Sequence, residues 1–154
     1  MNKKFVKILF IAFLLIIFMF INPYKIIVVK GDSMKPTYKS GDILLGSKDR
    51  NFKRGDVVVL KNDFQETIIK RITFLPGETY YSVFFVADGV TESDIISKEQ
   101  YENFKKSKSN YTILLKDKVP LNQFFVTGDN RRNSDDSRRF GSISEETILY
   151  KVIK

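Results

Sequence analysis

A serine at position 33 lies in a turn-like segment that suits a nucleophile. It belongs to "KGDSMKPTYKSGDILL" (30–45), between two strand-like runs of β-branched and apolar residues. A serine hydroxyl attacks poorly unless a positioned base accepts its proton. The chain contains no histidine and no cysteine, which excludes the commonest general base, thiol nucleophiles and cysteine-based zinc sites. Hydrolytic chemistry would have to use Ser, Thr, Lys, Asp, Glu or Tyr.

Lys70 is the candidate base. In the strand-like segment "ETIIKRITFLPGE" (66–78), alternation puts its side chain on one face with Ile68, Ile72 and Phe74. Burial among apolar neighbours lowers a lysine pKa, by up to about 3–5 units, and a neutral lysine can accept a serine proton. The alternative is a lysine near a strand end whose amine extends to water. Nothing in this strand alone brings Lys70 to Ser33.

A third segment, "GDNRRNSDDSRRFG" (128–141), combines four arginines, three aspartates and two serines. It is compatible with a solvated loop of compensating charges. It is also compatible with a rigid loop tied by Asp–Arg pairs that presents a serine hydroxyl to the site. Phosphate or nucleic-acid binding is disfavoured by the interleaved aspartates. A calcium loop is disfavoured because Arg131 falls where an oxygen ligand is needed and no closing glutamate follows.

The N-terminus predicts a membrane anchor. Three lysines precede an unbroken apolar run from Ile8 to Ile21, near the lower limit of about 17–25 residues for a crossing helix. A cleaved signal peptide would need a small-residue site after the run, which is missing, and a buried helix of a soluble protein would have a polar face. We therefore expect a short cytoplasmic N-terminus (1–7), a single transmembrane helix (8–22) ended by Asn22-Pro23, and one extracytoplasmic domain (23–154).

The domain after the anchor predicts a mainly β fold, a small barrel or sandwich-like architecture. Short runs rich in β-branched and aromatic residues alternate with Gly, Pro, Asp and Asn, without regular βαβ alternation. Residues 92–110 are polar and charged, and predict a surface excursion that could be a loop, a short helix or a flap. The predicted strands are 24–29, 42–46, 56–60, 66–75, 79–87, 111–115, 123–128 and 147–153.

The net charge of +8 and the sequence pI near 9.6 are compatible with nucleic acid, an anionic membrane surface, or solubility alone. The apolar N-terminus favours the membrane, and we expect no nucleic-acid partner.

Taken together, the three segments resemble the type I signal peptidases, the membrane-bound Ser-Lys endopeptidases of peptidase family S26. "GDSMKPT" matches their Ser-Met-x-Pro-Thr motif, and "KRITFLPGE" resembles their Lys-Arg-x3-Leu-Pro-Gly-acid motif. "GDNRRNSDDSRRFG" follows their Gly-Asp-Asn-Arg-x2-Ser-x-Asp-Ser-Arg-x2-Gly motif. The resemblance covers the anchor and most of the domain, in the Gram-positive-type arrangement, and leaves 80–121 unmatched as a variable insertion.

The resemblance implies roles for individual residues. Ser33 would be the nucleophile, with its backbone N–H in the oxyanion hole, and Lys70 the general base. Gly31 stands where some members carry a second, hydroxyl donor to the oxyanion. The family implies no metal or cofactor. The matching support residues are Ser134, which would orient the lysine amine, Asp136 and Arg138, which would brace the loop, and Asp129 and Arg131 in the opening of the motif.

The implied substrates are secretory preproteins, bound as an extended chain with small residues at the first and third positions before the cut. Membrane lipid is the other implied partner, and the catalytic domain would be extracytoplasmic. Two alternatives remain open. One is a non-catalytic or specialised assembly factor of a dedicated export or pilus system that keeps this fold. The other is a soluble Ser-Lys autoprotease of the repressor type.

Overall fold

The computed structural model describes residues 3–21, 23–62, 64–87, 90–107 and 112–153. Two short 3-10 turns (Arg131–Asn133 and Glu145–Thr147) flank the third helix. In chain order the elements are α1 (Lys3–Ile21), β1 (Tyr24–Val28), β2 (Ile43–Ser47), β3 (Val57–Lys61), β4 (Thr67–Phe74), β5 (Thr79–Ala87), β6 (Val90–Ile96), α2 (Lys98–Ser107), β7 (Thr112–Lys118), β8 (Gln123–Thr127), α3 (Ser137–Phe140), β9 (Ile143–Ser144) and β10 (Ile148–Ile153).

The helix α1 takes up the apolar N-terminal run and ends before Pro23, whose ring cannot continue a helix. It begins before the predicted anchor 8–22, whose last residue lies outside the described ranges. By length and apolarity, none of the helices in those ranges reaches what a bilayer-crossing segment requires.

A seven-stranded sheet forms the body of the domain, in the order β1-β2-β10-β3-β4-β8-β9 with every neighbouring pair antiparallel. The central strand β3 is buried from Val57 to Leu60, because its alternating side chains serve two apolar clusters. One cluster contains Val58, Leu60, Ile72, Phe124, Val126, Ile143 and Ile148. The other contains Val29, Met34, Val57, Val59, Ile69 and Val152.

A smaller sheet, in the order β6-β5-β7, extends from the body between Glu78 and Val119. The chain leaves and returns at one place, since the Val119 N–H donates to the Glu78 carbonyl at 2.9 Å. Tyr80 and Phe125 pack together with Val119 and join the two sheets. We call β5, β6, α2 and β7 the lobe.

The mainly β prediction is confirmed, and each predicted strand overlaps an observed one. The surface-loop interpretation of residues 92–110 is wrong for 92–107, because β6 reaches Ile96 and α2 follows. The short-helix alternative holds for Lys98–Ser107, where the Ser97 hydroxyl caps the first turn by accepting from the Gln100 N–H. Residues 108–111 lie outside the described ranges.

Candidate active site

Ser33 lies in the turn that follows β1. Gly31 enters this turn with a φ of +80°, which glycine adopts without steric cost. The Met34 side chain is 1% exposed and anchors the turn in the second apolar cluster. From the other side, the Asn130 N–H donates to the Ser33 carbonyl at 2.9 Å and the Asn130 side-chain amide donates to the Asp32 carbonyl at 3.2 Å. The backbone of Ser33 is therefore fixed on both sides.

The Lys70 amine lies beside the Ser33 hydroxyl. Lys70 Nζ is 3.0 Å from Ser33 Oγ and 3.0 Å from the Ile69 carbonyl oxygen, although 37 positions separate the two residues in the chain. The lysine is only 3% exposed. Burial lowers its pKa, and the nearby carboxylates of Asp136 and Asp135 oppose that shift only in part. This is the arrangement in which an amine can accept a proton.

A cleft of about 330 Å³ opens beside this pair. It lies between residues 27–30 of the β1 region and residues 67–70 of β4, with Ser33 and Val59 completing the lining. The pairing of β8 with β4 begins at Arg71, so no strand of the described residues pairs with the edge of β4 from Thr67 to Lys70 on that side. The cleft thus has an apolar wall and a free strand edge that end at the Ser33–Lys70 pair.

Asp136 and Arg138 form a buried brace behind the lysine. Asp136 is fully buried and accepts hydrogen bonds from Arg138 Nε at 2.8 Å and from the Gly128 N–H at 2.9 Å. Burial alone would raise the pKa of Asp136, but the hydrogen bonds from Arg138 and Gly128 hold it below its usual value. Asp136 also caps α3 by accepting from the Arg138 N–H. The expected Asp–Arg pair is present and its carboxylate is charged.

Asp129 pairs with Arg71. Arg71 donates to the two carboxylate oxygens of Asp129 at 2.8 and 2.6 Å, and Thr37 donates to the same carboxylate at 2.5 Å. Burial acts to raise the pKa of Asp129, and these hydrogen bonds lower it on balance. Arg131, the residue expected beside it, is exposed, and its backbone carbonyl accepts from Arg138 at 2.7 Å. The Arg71–Asp129 pair connects the end of β8 to β4, and the hydrogen bond from Thr37 connects it to the serine turn.

Ser134 lies under the site in close contact with Gly128. A Cβ on Gly128 would collide with Ser134 Oγ and lie 2.6 Å from the Ser33 carbonyl oxygen, so only glycine permits this approach. The Ser134 hydroxyl is buried, and it forms no hydrogen bond with any described residue. The hydrogen bond expected from Ser134 to the lysine amine is therefore not formed, and its orienting role stays a prediction.

Three site residues were given no role from the sequence: Thr37, Arg71 and Asn130. Each belongs to one of the three quoted motifs, and that membership was the available signal. Their partners, 34 to 98 positions away in the chain, could not be derived from local patterns.

A larger cavity, of about 640 Å³, is lined by Asp56 and Lys151 among others but includes neither Ser33 nor Lys70. Asp56 and Lys151 form an ion pair with each other at 3.0 Å.

Comparison with known proteins identifies a family for this chain. The family model described as "Signal peptidase, peptidase S26" matches residues 2–153. Signal peptidase I P of Bacillus subtilis subsp. natto is 36% identical over 153 residues, covering 92% of this chain and 79% of that protein. Signal peptidase I V of Bacillus subtilis (strain 168) is 37% identical over 132 residues, covering 79% of both. Signal peptidase IB of Staphylococcus aureus is 32% identical over 150 residues, covering 86% of this chain and 75% of that protein.

A solved signal peptidase I from Enterococcus faecalis V583 aligns with a TM-score of 0.41 and 24% sequence identity, covering 68% of this chain and 97% of that one. The assignment rests on the family model and the curated relatives. The protein is a hydrolase, and the chain belongs to the signal peptidase family, peptidase S26.

Proposed function

We propose that this protein cleaves signal peptides from exported preproteins with Ser33 as nucleophile and Lys70 as general base. The observation that carries the proposal is the 3.0 Å contact between Lys70 Nζ and Ser33 Oγ at a lysine that is 3% exposed. An ordinary ammonium at that distance could only donate a hydrogen bond. Burial lowers the pKa of Lys70, which favours the neutral amine, the form whose lone pair can take the hydroxyl proton.

The reaction would proceed through an acyl-enzyme. Ser33 Oγ attacks the scissile carbonyl carbon while its proton moves to Lys70 Nζ, and the carbonyl oxygen takes up the negative charge. As this intermediate collapses, the C–N bond breaks and the ammonium of Lys70 protonates the leaving amine. Lys70, neutral again, then accepts a proton from a water that attacks the ester, and returns it to Ser33 Oγ. General-base assistance of this kind contributes typically about 10²–10⁴-fold.

The oxyanion would be held by the backbone N–H of Ser33. Among the described residues this N–H donates to no other group, and hydrogen bonds from Asn130 fix the turn that carries it. A fixed donor aimed at developing charge is worth roughly 2.7–4 kcal/mol in other hydrolases. Gly31 offers no second hydroxyl, so any further donor would have to be backbone or water.

An extended substrate would lie along the cleft. In the order β1-β2-β10-β3-β4, with all pairs antiparallel, the strands β1 and β4 run in the same direction, and the cleft-lining residues of both, 27–30 and 67–70, lead towards the dyad. A peptide whose scissile bond reaches Ser33 would run parallel to both and could hydrogen-bond to the free edge of β4 from Thr67 to Lys70. The apolar lining, including Val29 and Ile69, suits the small residues that the family's substrates carry before the cut.

Anchoring in a membrane is part of the proposal. It rests on the uninterrupted apolar sequence Ile8–Ile21 and the lysines before it, a pattern typical of a spanning segment with a cytoplasmic N-terminus. Under this proposal the full-length chain fractionates with membranes and resists alkaline carbonate, and a protease added outside the cytoplasmic membrane degrades the domain. Recovery of the full-length chain in the soluble fraction would contradict it.

The cleavage proposal is tested with purified full-length protein and a preprotein that carries a signal peptide. Wild type should produce one new N-terminus immediately after small residues at the first and third positions before the cut. Ser33→Ala and Lys70→Met should lose cleavage by at least about 10²-fold while keeping the wild-type circular dichroism spectrum. Lys116→Met, at an exposed lysine on β7, is the matched control. Activity retained in Lys70→Met, or lost in Lys116→Met as well, would contradict the dyad.

A further inference from the structure

Phe64 has the largest exposed fraction of any large apolar side chain in the described ranges. It is 82% exposed at the tip of the hairpin that joins β3 to β4. Exposing a phenylalanine so fully leaves apolar surface in water at a cost, and a lone exposed apolar residue on a loop needs no function. The position of Phe64 and the hydrogen bonds of its turn distinguish it.

Hydrogen bonds around Asn62 join the described residues of the tip, 62 and 64–66. The Asn62 side-chain oxygen accepts from the Phe64 N–H at 3.1 Å and from the Glu66 N–H at 2.9 Å. The Asn62 N–H donates to the Glu66 carbonyl at 3.0 Å, and Gln65 closes the turn with a φ of +63°. The backbone of Phe64 is therefore hydrogen-bonded within the turn, and a contact with its ring would mainly require the side chain to be ordered.

The tip lies at the end of the cleft remote from the dyad. The strand β4 begins at Thr67, next to the tip, and passes the dyad at Lys70, and its residues 67–70 form one wall of the cleft. Phe64 precedes Lys70 by six positions, which corresponds to at most about 20 Å of extended strand. A substrate running parallel to β4 would therefore pass the tip with the residues about six or seven positions before its scissile bond.

Those positions have a known chemistry in the proposed substrate class. A signal peptide has an apolar segment of about 7–15 residues, followed by a more polar stretch and the small-residue cleavage site. The extended residues next to the cut fit the length of the 67–70 edge, so the C-terminal end of the apolar segment falls at the tip. An exposed aromatic ring suits that segment, because it offers apolar area with few rotamers to immobilise.

We propose that Phe64 is a specificity-determining contact for the apolar segment of the substrate. This inference rests on the proposed function, and concerns a part of the substrate that lies beyond the cleft residues next to Ser33. Contact of the same ring with the bilayer is the competing explanation, and the experiment separates the two.

The test compares two peptides cleaved by full-length protein in detergent micelles. The short peptide has five residues before the cleavage site and two after it. The long peptide adds ten leucine and alanine residues at its N-terminus. Phe64→Ala should lower kcat/KM for the long peptide by about 5- to 20-fold and leave the short peptide within twofold. Leu121→Ala, at a side chain that is 79% exposed in the turn before β8, is the matched control and should change neither value. Phe64→Leu, which keeps most of the apolar area, should retain most of the preference for the long peptide.

Each other outcome overturns the inference. Equal losses for the two peptides would indicate a structural or detergent-contact role for Phe64. No loss for either would show that the ring makes no substrate contact. A loss for the long peptide that appears only after reconstitution into phosphatidylglycerol vesicles would assign the ring to the bilayer. Failure of wild type to cleave either peptide would count against the proposed function itself, which distinguishes the two failures.

Discussion

The two sheets differ in whether they bury charged side chains. The body formed by the seven-stranded sheet and its loops buries Lys70 and Asp136, at 3% and 0% exposure. Among its described residues the lobe buries no charged side chain. Instead, it leaves Ile113 and Leu115 substantially exposed, and α2 has no buried residue. Burying a charge costs several kcal/mol unless partners compensate.

Buried charged side chains therefore occur in the body, at and behind the Ser33–Lys70 pair, and not among the described residues of the lobe. One charged side chain of the body is in contact with the lobe. Arg138, which holds Asp136, also donates to the Ser93 carbonyl of β6 at 3.3 Å and lies 3.9 Å from Asp94. The lobe therefore supports the outer side of the brace, although none of its described residues hydrogen-bonds to Ser33 or Lys70.

The largest effect should come from the buried carboxylate of the body. Asp136→Ala leaves Arg138 and the Gly128 N–H without their acceptor, so we expect a loss of about 3–5 kcal/mol in the free energy of unfolding, measured by urea denaturation. Asp129→Ala removes a carboxylate that is 15% exposed and closer to water, so the expected loss is about 1.5–3 kcal/mol. Equal losses for the two variants would mean that burial does not distinguish the two pairs.

The acid–arginine pairs also have a pH dependence with a definite sign. Since the pKa values of Asp129 and Asp136 are lowered in the folded protein, their contribution to stability is present above the ordinary aspartate range. It is lost as the pH falls through the lowered values. In the two alanine variants the corresponding part of the acid sensitivity should disappear.

An intermediate effect is expected from the close approach at Gly128. Gly128→Ala introduces a Cβ that collides with Ser134 and the Ser33 carbonyl, so we expect a loss of about 1–3 kcal/mol in stability and reduced kcat, because the serine turn must shift. Thermal unfolding and peptide hydrolysis measure the two quantities. Adding Ser134→Ala removes one colliding atom and should restore part of the stability. Full wild-type behaviour of Gly128→Ala would show that the turn is looser than described.

The smallest effect is expected on the surface of the lobe. Ile113→Ala removes a side chain that is 60% exposed, so stability should change by less than about 0.5 kcal/mol and peptide hydrolysis should not change. The same substitution in the body, Ile72→Ala at 1% exposure, should cost about 2–5 kcal/mol. A loss above about 2 kcal/mol for Ile113→Ala would mean that this face of the lobe is covered in the folded protein.

The sequence predicted much of the body and less of the lobe, for physical reasons. The run Val57–Leu60 is apolar on both faces, which is the pattern expected of a strand that is buried on both sides. The segment of β6, "VTESDII", has polar residues where period-2 alternation needs apolar ones. Its pairing with β5 overrides that weak local preference. The strand was missed because tertiary pairing decides it.

The candidate site, too, was predictable in part from the sequence. Ser33 and Lys70 could be singled out as residue types placed on a turn and on an apolar strand face. The distance between them depends on how β1 and β4 are arranged in the sheet, and a local sequence pattern does not specify that arrangement. The Arg71–Asp129 pair spans 58 positions, so neither residue could identify its partner from the sequence. The roles assigned to Ser33, Lys70 and Ser134 stay predictions until activity is measured.

The pH dependence of kcat/KM for a short peptide, under conditions where chemistry limits the rate, tests the central claim most directly. Burial lowers the pKa of Lys70, so activity should rise through one ionisation below the usual lysine range and then stay constant. Because Asp135 acts to raise that pKa, Asp135→Asn should move the rise to lower pH. A flat profile from mildly acid to alkaline conditions, or a midpoint at the ordinary lysine value, would contradict a buried neutral amine as the base.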